Sequence, residues 1–134
     1  MALRRILLDT SAYSAFMRGH EGIKTLLQDC DEIALTPVVL GELQAGFARG
    51  RNRRKNLGEL KRFRASARVR LFAVDDQTAE RYAVIVDALR KAGTPIPTND
   101  VWIAASAMQH GLAVVTTDAH FERVSQILVE RPPA

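Results

Sequence analysis

Two short runs of consecutive apolar residues, Ile6-Leu7-Leu8 and Ala113-Val114-Val115, stand out from an otherwise mixed pattern. Unbroken apolarity bounded by polar residues marks a strand buried on both faces of a parallel sheet. Ile33-Ala34-Leu35 and Leu71-Phe72-Ala73-Val74 are further strand-like runs. Between these runs the apolar residues recur at helical spacing. Thr36-Pro37 reads as a helix N-cap with proline in the first turn, opening a helix to about Arg49. Ala79, Tyr82, Ala83, Val86 and Leu89 share one face of a helix that Asp76 is expected to cap and that Gly93 and Pro95 end. Thr98 or Asn99 is expected to cap a helix ending at Gly111. Further helical turns are expected over 11–18, 22–29 and 57–68. Strands alternating with helices predict a parallel α/β sandwich.

This pattern gives four acids a common destination. Ligands of open α/β sheets bind beyond the carboxyl ends of the strands. Asp9 ends the first strand run and Asp118 ends the last. Asp100 opens the helix before that last strand. A helix of about eleven residues runs ~16 Å, and a strand of about six returns ~20 Å, which brings Asp100 back beside Asp118. Glu42 lies about a turn and a half into its helix, and helical side chains lean toward the N-terminus. Each acid alone also fits a bland role as a cap, a first-turn acid or an exposed helix residue. Asp76 of the Asp75-Asp76 pair is given such a capping role. Four converging carboxylates without basic partners repel one another. A hard cation such as Mg²⁺ or Mn²⁺ is the usual reason to hold them together, which points to metal-assisted phosphodiester hydrolysis.

Composition narrows the setting. A chain of 134 residues, 47% apolar and 25% charged, has the length and balance of one globular domain. No apolar stretch reaches the roughly 18 residues of a membrane span, and the N-terminus lacks a signal-peptide pattern. Cys30 is the single cysteine, as expected of a reducing cytoplasm. The net charge of +4 is unevenly distributed. Between Arg49 and Arg70 lie ten Lys/Arg against one acid, and elsewhere nine basic residues face fourteen acids. A basic segment beside an acidic remainder suits a polyanion held next to a cation site, although a solvated surface helix has the same composition.

The acidic positions lie within four motifs that together resemble a PIN-domain ribonuclease, and specifically a VapC toxin of a type II toxin–antitoxin system. They are Leu-Leu-Asp9-Thr10-Ser11, Thr36-Pro-Val-Val-Leu-Gly-Glu42-Leu-Gln-Ala-Gly46, Asn99-Asp100-Val-Trp-Ile-Ala-Ala105 and Val-Val-Thr-Thr-Asp118-Ala-His-Phe121. Each is weak alone; their order across the whole chain is specific. The resemblance implies a single PIN domain over 1–134, built as a three-layer α/β/α sandwich around a parallel sheet of four to five strands. It implies an Mg²⁺-dependent endoribonuclease, with Mn²⁺ as a substitute, and an acidic site of Asp9, Glu42, Asp100 and Asp118. In such a site Asp9 and Asp100 are the metal ligands, and Glu42 and Asp118 act directly or through water. Thr10, Ser11, Asn99 and Thr117 are placed to orient ligands or waters. The partners implied are RNA, a VapB-type antitoxin and a second copy, giving a homodimer and a heterotetramer or larger assembly. Arg49, Arg51, Arg53 and Arg54 are the candidates for RNA phosphates.

Other readings are weaker. His20, His110 and His120 show no metal-ligand spacing and read as surface or internally satisfied histidines. Gly41–Gly46 lacks the lysine of a phosphate loop. Ser11 has no evident base. Trp102 fits core packing. A phosphoacceptor receiver would need an acidic pair after the first strand and a lysine after the last; neither is present. A non-catalytic PIN-like module binding RNA or protein is the main alternative, though it usually follows the loss of acids, and none is lost here. Val38, Val39, Leu43, Phe47, Leu57, Leu60 and Phe63 are candidates for a partner groove or dimer face, against an ordinary core role.

Overall fold

The computed structural model describes residues 3–133. Its elements are β1 (Arg5–Leu8), α1 (Thr10–Met17), α2 (Glu21–Gln28), β2 (Glu32–Leu35), α3 (Pro37–Arg49), α4 (Arg53–Arg64), β3 (Val69–Leu71), α5 (Asp76–Ala92), α6 (Thr98–His110) and β4 (Ala113–Val115). A 3₁₀ turn over Ala119–Arg123 then leads to β5 (Val129–Glu130). The five strands form one parallel sheet in the order β3-β2-β1-β4-β5.

This order sets the position of the site. From β1 the chain steps outward to β2 and β3, then crosses back over β2 and β1 to place β4 on the other side of β1. Right-handed crossovers therefore put α1–α4 on one face and α5–α6 on the other. The reversal between β1 and β4 opens a crevice at their carboxyl ends, the usual ligand position of such sheets. Leu8 pairs with Val115, so Asp9 and Thr116 leave the sheet side by side. Ile6, Leu7, Leu8, Ile33, Leu35, Val114 and Val115 are buried to within 1% of full closure, which explains their unbroken apolar runs.

Several boundaries differ from the sequence pattern. The third strand is Val69–Leu71, two residues earlier than Leu71–Val74. It is an edge strand with Leu71 46% exposed, so burial left no apolar signature on it. Asp75, not Asp76, caps α5: its carboxylate accepts from Thr78 N at 3.1 Å while Thr78 Oγ1 accepts from Asp75 N at 3.0 Å, a reciprocal box. Neither Thr98 nor Asn99 caps α6; Pro97 holds the N-cap position and its carbonyl accepts from Asp100 N. That leaves the Asn99 amide free for another task. Pro132-Pro133 passes against α2 so closely that a Cβ at Gly22 would lie 2.9 Å from the Pro133 carbonyl. Val39, Leu43 and Leu60 are core residues, and Leu60 together with Leu57 also lines a shallow surface cleft on α4. Val38, Phe47 and Phe63 are partly buried against that core. Trp102 stacks on Tyr82 with ring centroids 4.1 Å apart.

Candidate metal centre

Asp9 ends β1 and begins α1, and both junctions use its carboxylate. Oδ1 accepts from Ala12 N at 2.8 Å, capping α1. Ser11 Oγ donates to Oδ1 and Oδ2 at 2.9 and 3.0 Å, and Thr116 Oγ1 donates to Oδ2 at 2.6 Å. The capping role and the site role thus coexist in one side chain. Asp9 is only 3% exposed. Burial pushes its carboxyl up to about 6, although these donors and the α1 cap pull the other way; the charge of Asp100 pushes it further up.

Asp100 lies in the first turn of α6, which arrives at the same edge. Burial raises its pKa, the His120 hydrogen bond lowers it, and Asp118 and Glu42 raise it again. Those charge effects place all four acids in one electrostatic neighbourhood. Asp118 follows β4 and caps the 3₁₀ turn, accepting from His120 N at 2.9 Å. Glu42 projects from α3 toward the same edge. Thr10 Oγ1 donates to its Oε1 at 2.6 Å and Asn99 Nδ2 donates to its Oε2 at 3.3 Å. Glu42 is thereby tied to both α1 and α6.

Two contributors were not legible as site residues. His120 Nδ1 lies 3.2 Å from Asp100 Oδ2 and 3.1 Å from Asp118 Oδ2. The three side chains bring donor atoms within 4.8 Å of one another, close enough to share an ion. The signal was local: His120 is two residues beyond Asp118, and a tight turn returns its ring to the carboxylate. Thr116, fully buried, does the orienting work expected of Thr117. Its hydroxyl donates to Asp9 and accepts from Asp118 N at 2.9 Å. Thr117 contributes its backbone N–H, which donates to Ser11 Oγ at 3.1 Å.

The donor set suits a hard divalent ion. Carboxylate oxygens dominate it, burial disfavours the uncompensated charge of Asp9 and Asp100, and hydroxyl donors fix the orientation of Asp9 and Glu42.

The basic run is more varied than a uniform surface. Arg68 Nη1 donates to the carbonyls of Leu27 and Cys30 at 2.7 and 2.8 Å, closing the end of α2. Arg70 pairs with Glu32 and Lys55 with Glu59. Arg49, Arg51, Arg53 and Arg54 are exposed around the α3–α4 turn. Arg49 is about 10 Å beyond Glu42 along the helix axis.

A parallel α/β domain with acids gathered at its topological switch point is a frame shared by metal-dependent nucleases. The chain belongs to the PIN domain family, whose model matches residues 6–127. It is similar to ribonuclease VapC4 of Mycobacterium tuberculosis, with 31% identity over 96% of this chain and 98% of that protein. The structure of DNA-bound VapBC from Salmonella typhimurium superimposes with a TM-score of 0.82, 27% identity and coverage of 97% and 98%. VapBC-5 from M. tuberculosis, a member of the VapBC family of toxin–antitoxin systems, gives a TM-score of 0.77 at 28% identity, covering 95% and 98%.

Proposed function

We propose that this protein is a divalent-metal-dependent endoribonuclease, the toxin of a VapBC-type pair acting in the cytoplasm, with 1–134 forming one PIN domain. The observation that carries the reading is the convergence of Asp9, Glu42, Asp100 and Asp118, from four separated elements, on the crevice between β1 and β4. The likeness to proteins named as ribonucleases and to VapBC complexes supports RNA as substrate and an antitoxin as partner. A dimer, and a larger assembly with the antitoxin, belongs to the same reading. No helix among the described residues is long and apolar enough to cross a membrane.

In this reading Asp9 and Asp100 hold Mg²⁺, or Mn²⁺ in its place, with Glu42 and Asp118 joining directly or through water. When bound, the ion supplies charge neutralisation at the scissile phosphate and a lowered pKa for attacking water. The chain's own residues do the rest. Thr10 and Asn99 fix the Glu42 carboxylate so that it faces the crevice. Thr116 and Ser11 hold Asp9 in one orientation despite its burial. His120 keeps Asp100 and Asp118 from separating before the ion arrives. Hydrolysis forms one P–O bond to the water oxygen and breaks the ester P–O bond; the departing ribose oxygen takes up a proton. Arg49, Arg51, Arg53 and Arg54 remain candidates for flanking phosphates, a salt-dependent contribution.

The test is cleavage of total cellular RNA by wild type and Asp100→Asn, with Mg²⁺, Mn²⁺ or EDTA. Discrete products that require metal and vanish in a folded variant are expected. Products that persist in the variant, or a wild type that cuts nothing, would sink the assignment and favour a binding module.

A further inference from the structure

Beside the acidic crevice lies a second cleft of about 590 Å³, walled by the tail after β5 and by the α1–α2 turn. Its position follows from the sheet. Val115 pairs with Glu130, and Thr116 N donates to the Glu130 carbonyl at 3.1 Å. Arg131 therefore leaves the sheet edge level with Thr116, two residues from Asp118, and Thr117 lines the cleft beside it. Ala15 forms part of the floor, one helical turn beyond Ser11 on the same face of α1. Ser11 is the residue that holds Asp9. The cleft and the acidic site thus share a wall.

The charged lining is all of one sign: Arg18 and Arg131 line the cleft beside His20, and no acid does among the described residues. Arg18 is exposed and has no carboxylate partner among those residues. Arg131 donates one guanidinium nitrogen to Glu122 at 3.1 Å, which leaves its other donors unused by that pair. His20 Nδ1 accepts from Ile23 N at 3.1 Å, so the neutral ring carries its proton on Nε2. Pro132 and Pro133 carry no N–H and stiffen the opposite wall. By contrast, the cavity on the other side of the tail mixes Arg4 and Arg131 with Glu21, Asp29 and Glu130.

From this placement we infer that the cleft is a phosphate subsite. It would hold a backbone phosphodiester of single-stranded RNA next to the bond being cut, through Arg18, Arg131 and the His20 Nε2–H. The inference rests on the nuclease reading above and deepens it. A cationic cleft adjoining four carboxylates gives a polyanion a favourable path to a site whose own charge would otherwise repel it. Arg18 and Arg131 are positioning residues here: they hold the strand and take no part in bond cleavage.

The test compares steady-state cleavage of a mixed-sequence single-stranded RNA by wild type, Arg18→Gln, Arg131→Gln and the double variant over a salt series with Mg²⁺ present. Arg81→Gln, on α5 near His110 at the C-terminal end of α6, serves as a charge-matched control. Each cleft variant is expected to raise KM roughly tenfold at low salt with kcat kept. Each should also flatten the slope of log(kcat/KM) against log[salt] by about 0.7. The control should do neither. Unchanged KM and slope in a wild-type background that cleaves RNA would overturn the subsite and leave the nuclease standing. A fall in kcat at constant KM would also overturn it, by moving these residues into the chemistry. A wild type without metal-dependent cleavage would remove both readings together.

Discussion

Thr116 Oγ1 donates to Asp9 Oδ2 at 2.6 Å, which joins the end of β4 to the end of β1 through one buried hydroxyl. The same oxygen accepts from Asp118 N, so a single side chain orients one acid and anchors the backbone of another. Thr116→Val keeps the volume and removes both bonds. We expect Mn²⁺ affinity, by isothermal titration, to fall about 10- to 100-fold, with a stability loss of about 1–3 kcal/mol by urea denaturation. Unaltered affinity would mean that Ser11 and the α1 cap suffice to orient Asp9.

Asp9 also makes a pH-dependent prediction. Its folded pKa of about 6 lies above the usual 3.8, so the folded state binds this proton more tightly than the unfolded chain. Stability from this group therefore falls as pH rises from about 4 to about 6 and stays lost above that. Asp9→Asn lacks the titration. In EDTA the variant should gain on wild type by up to ~3 kcal/mol as pH rises through this window, measured as the difference between the two melting curves. Taking the difference matters because His110, whose pKa is lowered by burial, destabilises the fold as pH falls and would mask the trend in wild type alone. A difference that does not vary with pH would show that Asp9 is ionised throughout.

His120 makes a prediction with and without metal. It lies within 3.2 Å of carboxylate oxygens on both Asp100 and Asp118. His120→Ala should lower stability in EDTA by about 1 kcal/mol, the worth of a hydrogen bond to a charged group at a half-open site. Saturating Mg²⁺ should then raise the melting temperature of the variant more than that of wild type, because the ion takes over the bridging of two mutually repelling acids that His120 had supplied. An equal Mg²⁺ shift in both proteins would count against that role.

Arg68 tests whether the basic segment is all surface charge. Its guanidinium closes the carbonyl end of α2 through Leu27 and Cys30, 38 to 41 residues away in sequence. Arg68→Ala is expected to cost about 1.5–3 kcal/mol in denaturant unfolding, whereas Arg54→Ala, exposed on the first turn of α4, should cost less than about 0.5 kcal/mol. Equal small losses would return Arg68 to the solvated surface.

Legibility followed burial. Ile6–Leu8 and Ala113–Val115 were readable because a strand closed on both faces must be apolar throughout. The reach of Asp100 toward that edge was expected from the nearly matched lengths of its helix and the following strand, and that of Glu42 from its early place in its helix and the N-terminal lean of helical side chains. The edge strands were not readable: Val69–Leu71 is half in solvent and Val129–Glu130 is two residues long. Local capping chemistry was also ambiguous, since Asp75 and Asp76 are both good caps and only the Thr78 side chain decides between them. Thr116 and His120 were missed for a related reason. A buried threonine and a turn histidine have no periodicity, and their roles come from contacts across 107 and 20 residues.

The order of the acids along the chain has a consequence for synthesis. Asp9 leaves the ribosome on the first strand, but its neighbours Asp100 and Asp118 arrive only with α6 and β4, and Thr116 arrives with them. A nascent or prematurely terminated chain that stops before β4 carries three of the four carboxylates but lacks Asp118, Thr116 and the strand that completes the crevice beside β1. For a protein read as a toxin, harmlessness during translation is then a property of topology: the weapon is assembled only when the crossover from β3 to β4 is complete.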